Sequence, residues 1–274
     1  MRTWVNGDLL TDPDAPAVAA RDHGLTVGDG VFEVVKVVDG RVFAIEPHLE
    51  RMTRSARGLG LPDPDLDAVR RGVAAVLAGE QLTLGRVRIT WTGGLAPLGS
   101  DRGDGPSSLV VIGGAMDPWP DTAAVVTVPW PRNERGALAG LKTTSYGENV
   151  RALAHARSHG ANEAVFANLQ GHLCEGTGTN VFYVVDDELR TPTLASGCLA
   201  GITRRLILDW YGAREVDEPV EVLAERASEA FLTSTTRDAQ AIHRWNDREL
   251  GAPGPITTEV RKVWHEREPE LLGD

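Results

Sequence analysis

The nine residues Gly113-Gly114-Ala115-Met116-Asp117-Pro118-Trp119-Pro120-Asp121 constrain this chain more than any other stretch, because two glycines and two prolines so close together break helices and strands alike. They separate two blocks, each patterned for mixed strands and helices. With 274 residues the chain can fill one large core or two ordinary ones, and the break favours two. The expectation is a mixed α/β (α+β) chain with a smaller domain over residues 1–115, a linker over 116–122 and a larger domain over 123–274.

In the first block, Trp4-Val5-Asn6-Gly7-Asp8-Leu9-Leu10 reads as a hairpin, and Gly30 to Val38 as a strand closed by Asp39-Gly40. A helix follows, with Pro47 in its first turn, Leu49, Met52, Ala56 and Leu59 on its apolar face, and an end at Gly58 or Gly60. Residues 64–78 form a second helix, and Val87–Trp91 with Leu109–Ile112 are strands of one sheet. The second block predicts strands at 124–128, 163–167, 180–185 and 230–234, and helices near 147–158, 202–211 and 220–225. No fixed period recurs, which excludes a solenoid.

A formal charge of -11, with no Lys/Arg run interleaved with aromatics, argues against nucleic acid as a partner. Residues 1–30 carry Asp8, Asp12, Asp14, Asp22 and Asp29 and no apolar signal core, and no apolar run reaches membrane-spanning length. The expectation is a cytoplasmic protein without membrane contact. Cys174 and Cys198 are too few for a disulfide framework or a four-ligand zinc site, so both read as ordinary buried thiols and no metal is expected.

Of 28 Lys plus Arg, lysine occurs only at positions 36, 142 and 262, so each lysine calls for a reason. Lys142 lies in Gly140-Leu141-Lys142-Thr143-Thr144-Ser145-Tyr146-Gly147, a polar segment leading into a helix. The positive end of a helix dipole disfavours a cation, which suits an amine that must shed its proton to attack a carbonyl carbon. The bland alternative is a solvated loop lysine. Lys262 fits the surface of a C-terminal helix, while Lys36 belongs to the long strand.

Glu175 follows Leu173-Cys174 and precedes Gly176-Thr177-Gly178-Thr179, where glycines let a flat ligand approach the backbone; it could equally be a solvated turn glutamate. Gly201-Ile202-Thr203-Arg204 opens a helix whose N–H groups and threonine hydroxyl suit a phosphate, unless Thr203 is a plain cap. Phe231-Leu232-Thr233-Ser234-Thr235-Thr236 ends a strand in hydroxyls suited to a phosphate or to a capped turn, and Arg51 on the His48-Leu49-Glu50-Arg51-Met52 helix face could add a cation.

Taken in order, Arg21 to Glu33, His48 to Met52, Leu141-Lys142, Glu175 to Phe182, Gly201 to Arg204 and Phe231 to Thr236 resemble the successive signatures of class IV aminotransferases. The resemblance runs from about residue 4 to about residue 250. It implies a two-domain fold-type IV architecture, pyridoxal 5'-phosphate (PLP) as cofactor, amino acid and 2-oxo acid substrates, and a homodimer. It further implies that Lys142 carries the cofactor and later shuttles a proton, that Glu175 faces the pyridine nitrogen, and that Arg51, Ile202, Thr203, Ser234 and Thr235 hold the phosphate.

Within that family the strand Gly28 to Val37 and the hydroxyl-rich segment are most similar to D-amino acid aminotransferases, which favours D-amino acids as substrates. The alternatives are an aminodeoxychorismate lyase releasing 4-aminobenzoate and pyruvate, a branched-chain L-amino acid or R-amine transaminase, or a non-catalytic binder. The sequence departs from the D-amino acid pattern where Phe32, Leu98 and Ser100 replace the tyrosine, arginine and histidine that trap the carboxylate. Phe32, Val34, Lys36, Arg86, Arg88 and Thr236 are the expected substrate-lining residues; Arg86 and Arg88 share a strand face by period two, and Arg88 is the expected carboxylate anchor.

Overall fold

The computed structural model describes residues 1–273. They divide into two compact units: one is Met1–Pro118 with Leu141–Tyr146 and the C-terminal stretch from Leu271, the other Trp119–Gly140 with Gly147–Glu270.

The first unit runs β1 (Arg2–Val5), β2 (Asp8–Leu9), α1 (His23–Thr26), β3 (Gly30–Val38), β4 (Arg41–Val42), α2 (Ile45–Leu59), α3 (Leu66–Leu77), β5 (Leu84–Thr92) and β6 (Ser108–Ala115). Its six strands lie in the order β2-β1-β6-β5-β3-β4, and every pairing is antiparallel. β3 is rich in β-branched residues and alternates: Val31, Val35 and Val37 join Val87, Ile89 and Val111 in a core against Leu49, Met52 and Ala56 of α2 and Val69, Val73 and Val76 of α3. Each of these Val, Ile, Leu and Met side chains stabilises the unit by roughly 1.5–3 kcal/mol when fully buried. Asp65 caps α3 by accepting from the Ala68 N–H at 2.9 Å. α3 lies close to the sheet at Gly72, where a Cβ would stand 2.8 Å from both the Trp4 ring and Val111 Cγ2.

Residues 141–146 differ from the expectation that the lysine belongs to the domain 123–274. They lie along β3: Phe32 N–H donates to Lys142 O at 3.1 Å, Thr144 N–H donates to Gly30 O at 2.8 Å, and Val31 bridges Thr143. The edge of β3 has backbone groups to satisfy, and this segment satisfies them.

The second unit runs β7 (Thr122–Thr127), α4 (Gly147–Ser158), β8 (Glu163–Ala167), β9 (Leu173–Gly176), β10 (Asn180–Val185), β11 (Glu188–Thr191), α5 (Ile202–Trp210), β12 (Arg214–Glu215), α6 (Val220–Arg226), β13 (Glu229–Ser234), β14 (Asp238–Trp245), β15 (Arg248–Glu249) and α7 (Pro255–Arg267). Its nine-stranded sheet has the order β12-β11-β10-β13-β14-β7-β8-β9, with β15 on β14. One core joins Val125, Val165, Val181, Leu232 and Ile242 to Val220 and Leu223 of α6, and another places Ala152 and Ala156 of α4 against Ala124 and Phe166. β14 is absent from the sequence reading because Ala239, Gln240, Ala241 and Ile242 are all buried. A strand covered on both faces shows no alternation.

Among the described residues no helix is long and apolar enough to cross a membrane. Cys174 and Cys198 are free and buried, and burial pushes both thiols up, Cys198 to about 11.

Candidate active site

In the first unit, Lys142 is positioned through its backbone. Its N–H donates to Ser55 Oγ at 3.2 Å, and its carbonyl accepts from Phe32. The flanking hydroxyls of Thr144 and Ser145 donate to Gly28 O at 2.9 and 3.0 Å. Gly28 has φ +72°, and a Cβ there would lie 2.8 Å from Ser145 Oγ, so this close turn requires glycine. The side chain ends with Nζ 4.4 Å from the centroid of the Phe32 ring. Tyr146 meets that ring edge-on at 5.2 Å, and Arg88 Cζ lies 3.8 Å from its centroid.

On the opposite face of β3, Glu33 is wholly buried and accepts from Arg51 and from His48 Nδ1, the latter at 2.7 Å. Burial alone would raise its carboxyl; the charge and hydrogen bonds of Arg51, with the His48 bond, instead hold it at about 2. Burial drives the His48 imidazole down against the pull of Glu33. Arg51 is therefore an ion-paired residue whose guanidinium plane is set by Glu33. Glu33 and His48 had no assigned role in the sequence, although an acid at a core-facing position of an alternating strand must have a buried partner.

In the second unit, Glu175 stands on β9 with Oε2 accepting the Leu199 N–H at 2.8 Å and Oε1 3.4 Å from Arg132 Nε. Arg132, which the sequence reading missed, also donates to Glu148 and Asn149 and lies over Phe166. Gly201, not Thr203, caps α5 and offers no side-chain bond. Among the described residues the buried Thr203 hydroxyl has no hydrogen-bond partner, although buried polar groups are normally satisfied. A helix start open at its N–H groups beside an unsatisfied hydroxyl fits a phosphate. Ser234, Thr235 and Thr236 lead from β13 into the turn before β14, where Arg237 N–H donates to Ser234 Oγ at 3.2 Å and Thr236 Oγ1 accepts from Trp119 Nε1 at 3.2 Å.

The expected substrate residues fall into three settings. Phe32, Val34 and Arg88 form one patch, since Val34 pairs directly with Arg88 across the ladder. Lys36 pairs with Arg86 on the same face, but Lys36 is buried with Nζ 5.3 Å from the Phe43 centroid, whereas Arg86 is exposed. Thr236 belongs to the second unit. Lys262 is exposed and lies 4.0 Å from Glu266.

The amino-transferase class IV family matches residues 30–245. The chain is a class IV aminotransferase. A relative in Methanocaldococcus jannaschii, provisionally named a branched-chain-amino-acid aminotransferase, is 30% identical over 96% of this chain and 94% of its own length. One in Mycobacterium tuberculosis, named a bifunctional aminodeoxychorismate lyase / D-amino acid transaminase, is 29% identical over 91% of this chain and 93% of its own. A solved aminotransferase from M. tuberculosis in its PLP-bound form superposes with a TM-score of 0.86 at 25% identity, covering 98% of this chain and 99% of that one. The class IV aminotransferase therefore has the fold-type IV architecture and uses PLP. Its reaction class calls for amino acid and 2-oxo acid substrates.

Proposed function

We propose that the enzyme moves an amino group between an amino acid, preferably a D-amino acid, and a 2-oxo acid in a ping-pong sequence, with Lys142 as the residue that carries PLP. The observation that carries the reading is Lys142 itself: its backbone is hydrogen-bonded on both sides, and its amine lies against Phe32 beside Arg88.

PLP, when bound, supplies an electron sink for the breaking of a bond at the substrate α-carbon. Lys142 would hold the cofactor through Nζ, and the same amine would take a proton from the substrate α-carbon and return one. Glu175, oriented by Leu199 N–H and Arg132, keeps a proton on the pyridine nitrogen. The N–H groups of Ile202 and Thr203, the hydroxyls of Thr203, Ser234 and Thr235, and the Arg51 guanidinium hold the phosphate. Glu33 sets the orientation of Arg51. Phe32, Val34, Arg86, Arg88 and Thr236 face the substrate, and Lys36 supports the same strand face from its buried position. The working form is a homodimer in the cytoplasm.

Borohydride reduction followed by peptide mapping tests the cofactor assignment: the pyridoxyl label is expected on Lys142, and a label on Lys36 or Lys262, or none, overturns it. Turnover of both enantiomers of alanine, glutamate and leucine tests the preference, and faster turnover of L-leucine than of any D-amino acid would make the enzyme a branched-chain transaminase. The lyase reading is favoured by the name of the M. tuberculosis relative. Release of 4-aminobenzoate from aminodeoxychorismate would establish it.

A further inference from the structure

Asn149 stands in the first turn of α4 and is buried, although asparagine is a weak helix former. Both ends of its side-chain amide are engaged. Oδ1 accepts from Arg132 Nη1 at 3.2 Å, and Nδ2 donates to the Thr177 carbonyl. A guanidinium only donates and a carbonyl only accepts, so these partners fix which end of the amide is which. The amide thus ties Arg132 to the turn that follows Glu175. Glu163 holds the same turn a second time, accepting from the Thr177 N–H at 3.1 Å and from the Thr177 hydroxyl.

A planar guanidinium needs a constraint on its face and another on its edge before it points one way. Phe166 supplies the first, with Arg132 Cζ 4.2 Å from the ring centroid. Asn149 supplies the second at Nη1. Glu148 also accepts from Nη1, at 3.1 Å, but its side chain is 73% exposed, and an ion pair in water constrains little. Asn149, at 9% exposure, is the partner that water does not replace. With face and edge held, Nε is directed at Glu175 Oε1, 3.4 Å away. The neutral amide accepts its bond without drawing the charge of Arg132 away from Glu175, whereas a carboxylate at position 149 would compete for that charge.

We infer that Asn149 is a positioning residue for the reaction: it holds Arg132 in the orientation that steadies Glu175, and through Glu175 it keeps the proton on the pyridine nitrogen of the cofactor. The inference rests on Glu175 facing that nitrogen. Asn149 acts only through Arg132 and Thr177, so its loss should slow the chemical step and spare the binding of the amino donor.

The test compares the wild type with Asn149→Ala, Asn149→Ser and Glu148→Gln, each first checked by melting temperature. In the cofactor-free protein, NMR of arginine side chains reads hydrogen exchange at Arg132 Nε–H, which should quicken about tenfold in Asn149→Ala. In the PLP-loaded enzyme, the NMR signal of isotope-labelled pyridine nitrogen reads its proton affinity, which should fall about tenfold in the same variant. There kcat should also fall about tenfold, while KM for the amino donor stays within about twofold. Asn149→Ser serves the comparison if Asn149→Ala does not fold, and Glu148→Gln should keep all three readings within about twofold of the wild type. Unchanged exchange at Arg132, an unchanged proton affinity of the ring nitrogen, a loss confined to KM, or an effect of equal size in Glu148→Gln overturns the inference. Glu175→Gln keeps the two layers apart. If the ring nitrogen titrates in that variant as in the wild type, the assignment of Glu175 fails, whereas exchange in the cofactor-free protein still decides whether Asn149 positions Arg132.

Discussion

One guanidinium grips the Glu33 carboxylate twice: Arg51 Nε donates to Oε1 at 2.8 Å and Nη2 to Oε2 at 2.6 Å. The pair is buried, so its two halves are energetically inseparable. Removing one partner of such a pair leaves the other charge uncompensated, at a cost of about 3–5 kcal/mol. Glu33→Gln should therefore lower stability at pH 7 by about that amount, as read from urea unfolding.

The same pair sets an acid limb. The Glu33 carboxyl is held at about 2 against an ordinary value of 4.5, so its contribution is complete above pH 4.5 and is lost as pH falls toward 2. Thermal melts of the wild type should steepen across that window, and those of Glu33→Gln should show a shallower fall. Parallel curves would contradict the assignment.

His23 makes an opposite prediction. Nδ1 lies 2.8 Å from Asp29 Oδ2 and Nε2 lies 2.8 Å from Gly99 O, two acceptors that only a doubly protonated ring satisfies. The Asp29 bond, then the Gly99 bond, raise the His23 pKa above 6.5 despite burial and Arg102. Its stabilisation is complete below pH 6.5 and is lost as pH rises through the raised folded value. Amide exchange in the loop around Gly99, corrected for intrinsic rates, should lose protection over that rise, and the pH effect should vanish in His23→Gln. A ring titration by NMR at or below 6.5 would exclude this behaviour.

Thr203 separates binding from stability. Its buried hydroxyl has no partner among the described residues, so Thr203→Val should leave the melting temperature of the cofactor-free protein unchanged or slightly raised. PLP affinity should weaken about tenfold, through loss of a hydrogen bond to a charged group. A variant that binds PLP as tightly as the wild type would remove Thr203 from the phosphate site.

At Gly72 two effects oppose each other. Alanine gains about 1 kcal/mol of helix propensity, but its Cβ would meet the Trp4 ring and Val111 at 2.8 Å. Overpacking costs about 1–3 kcal/mol, so Gly72→Ala should destabilise the first unit overall, as chemical denaturation would reveal.

Much of the secondary structure was legible in the sequence where local patterning and burial agree. β3, β8, β10 and α4 stand within a residue of where periodicity puts them, because each has one distinct apolar face or a short β-branched run. β14 was not legible, since its central position erases alternation. The scarcity of lysine singled out Lys142, and order of motifs along the chain singled out the family. Arg132 gave no comparable signal. Its meaning lies in standing 3.4 Å from Glu175, a residue 43 positions away in the sequence.

Local chemistry in the sequence determined the family and drew attention to Lys142, since both depend on residue type and on the order of motifs along the chain. Only the tertiary structure decided that Lys142 packs with the first unit, that Arg51 is committed to Glu33, and that Arg88 stacks on Phe32. Those three outcomes depend on contacts between residues distant in the chain, and pairing of that kind is settled by the sheet register and by the cost of leaving a buried charge alone.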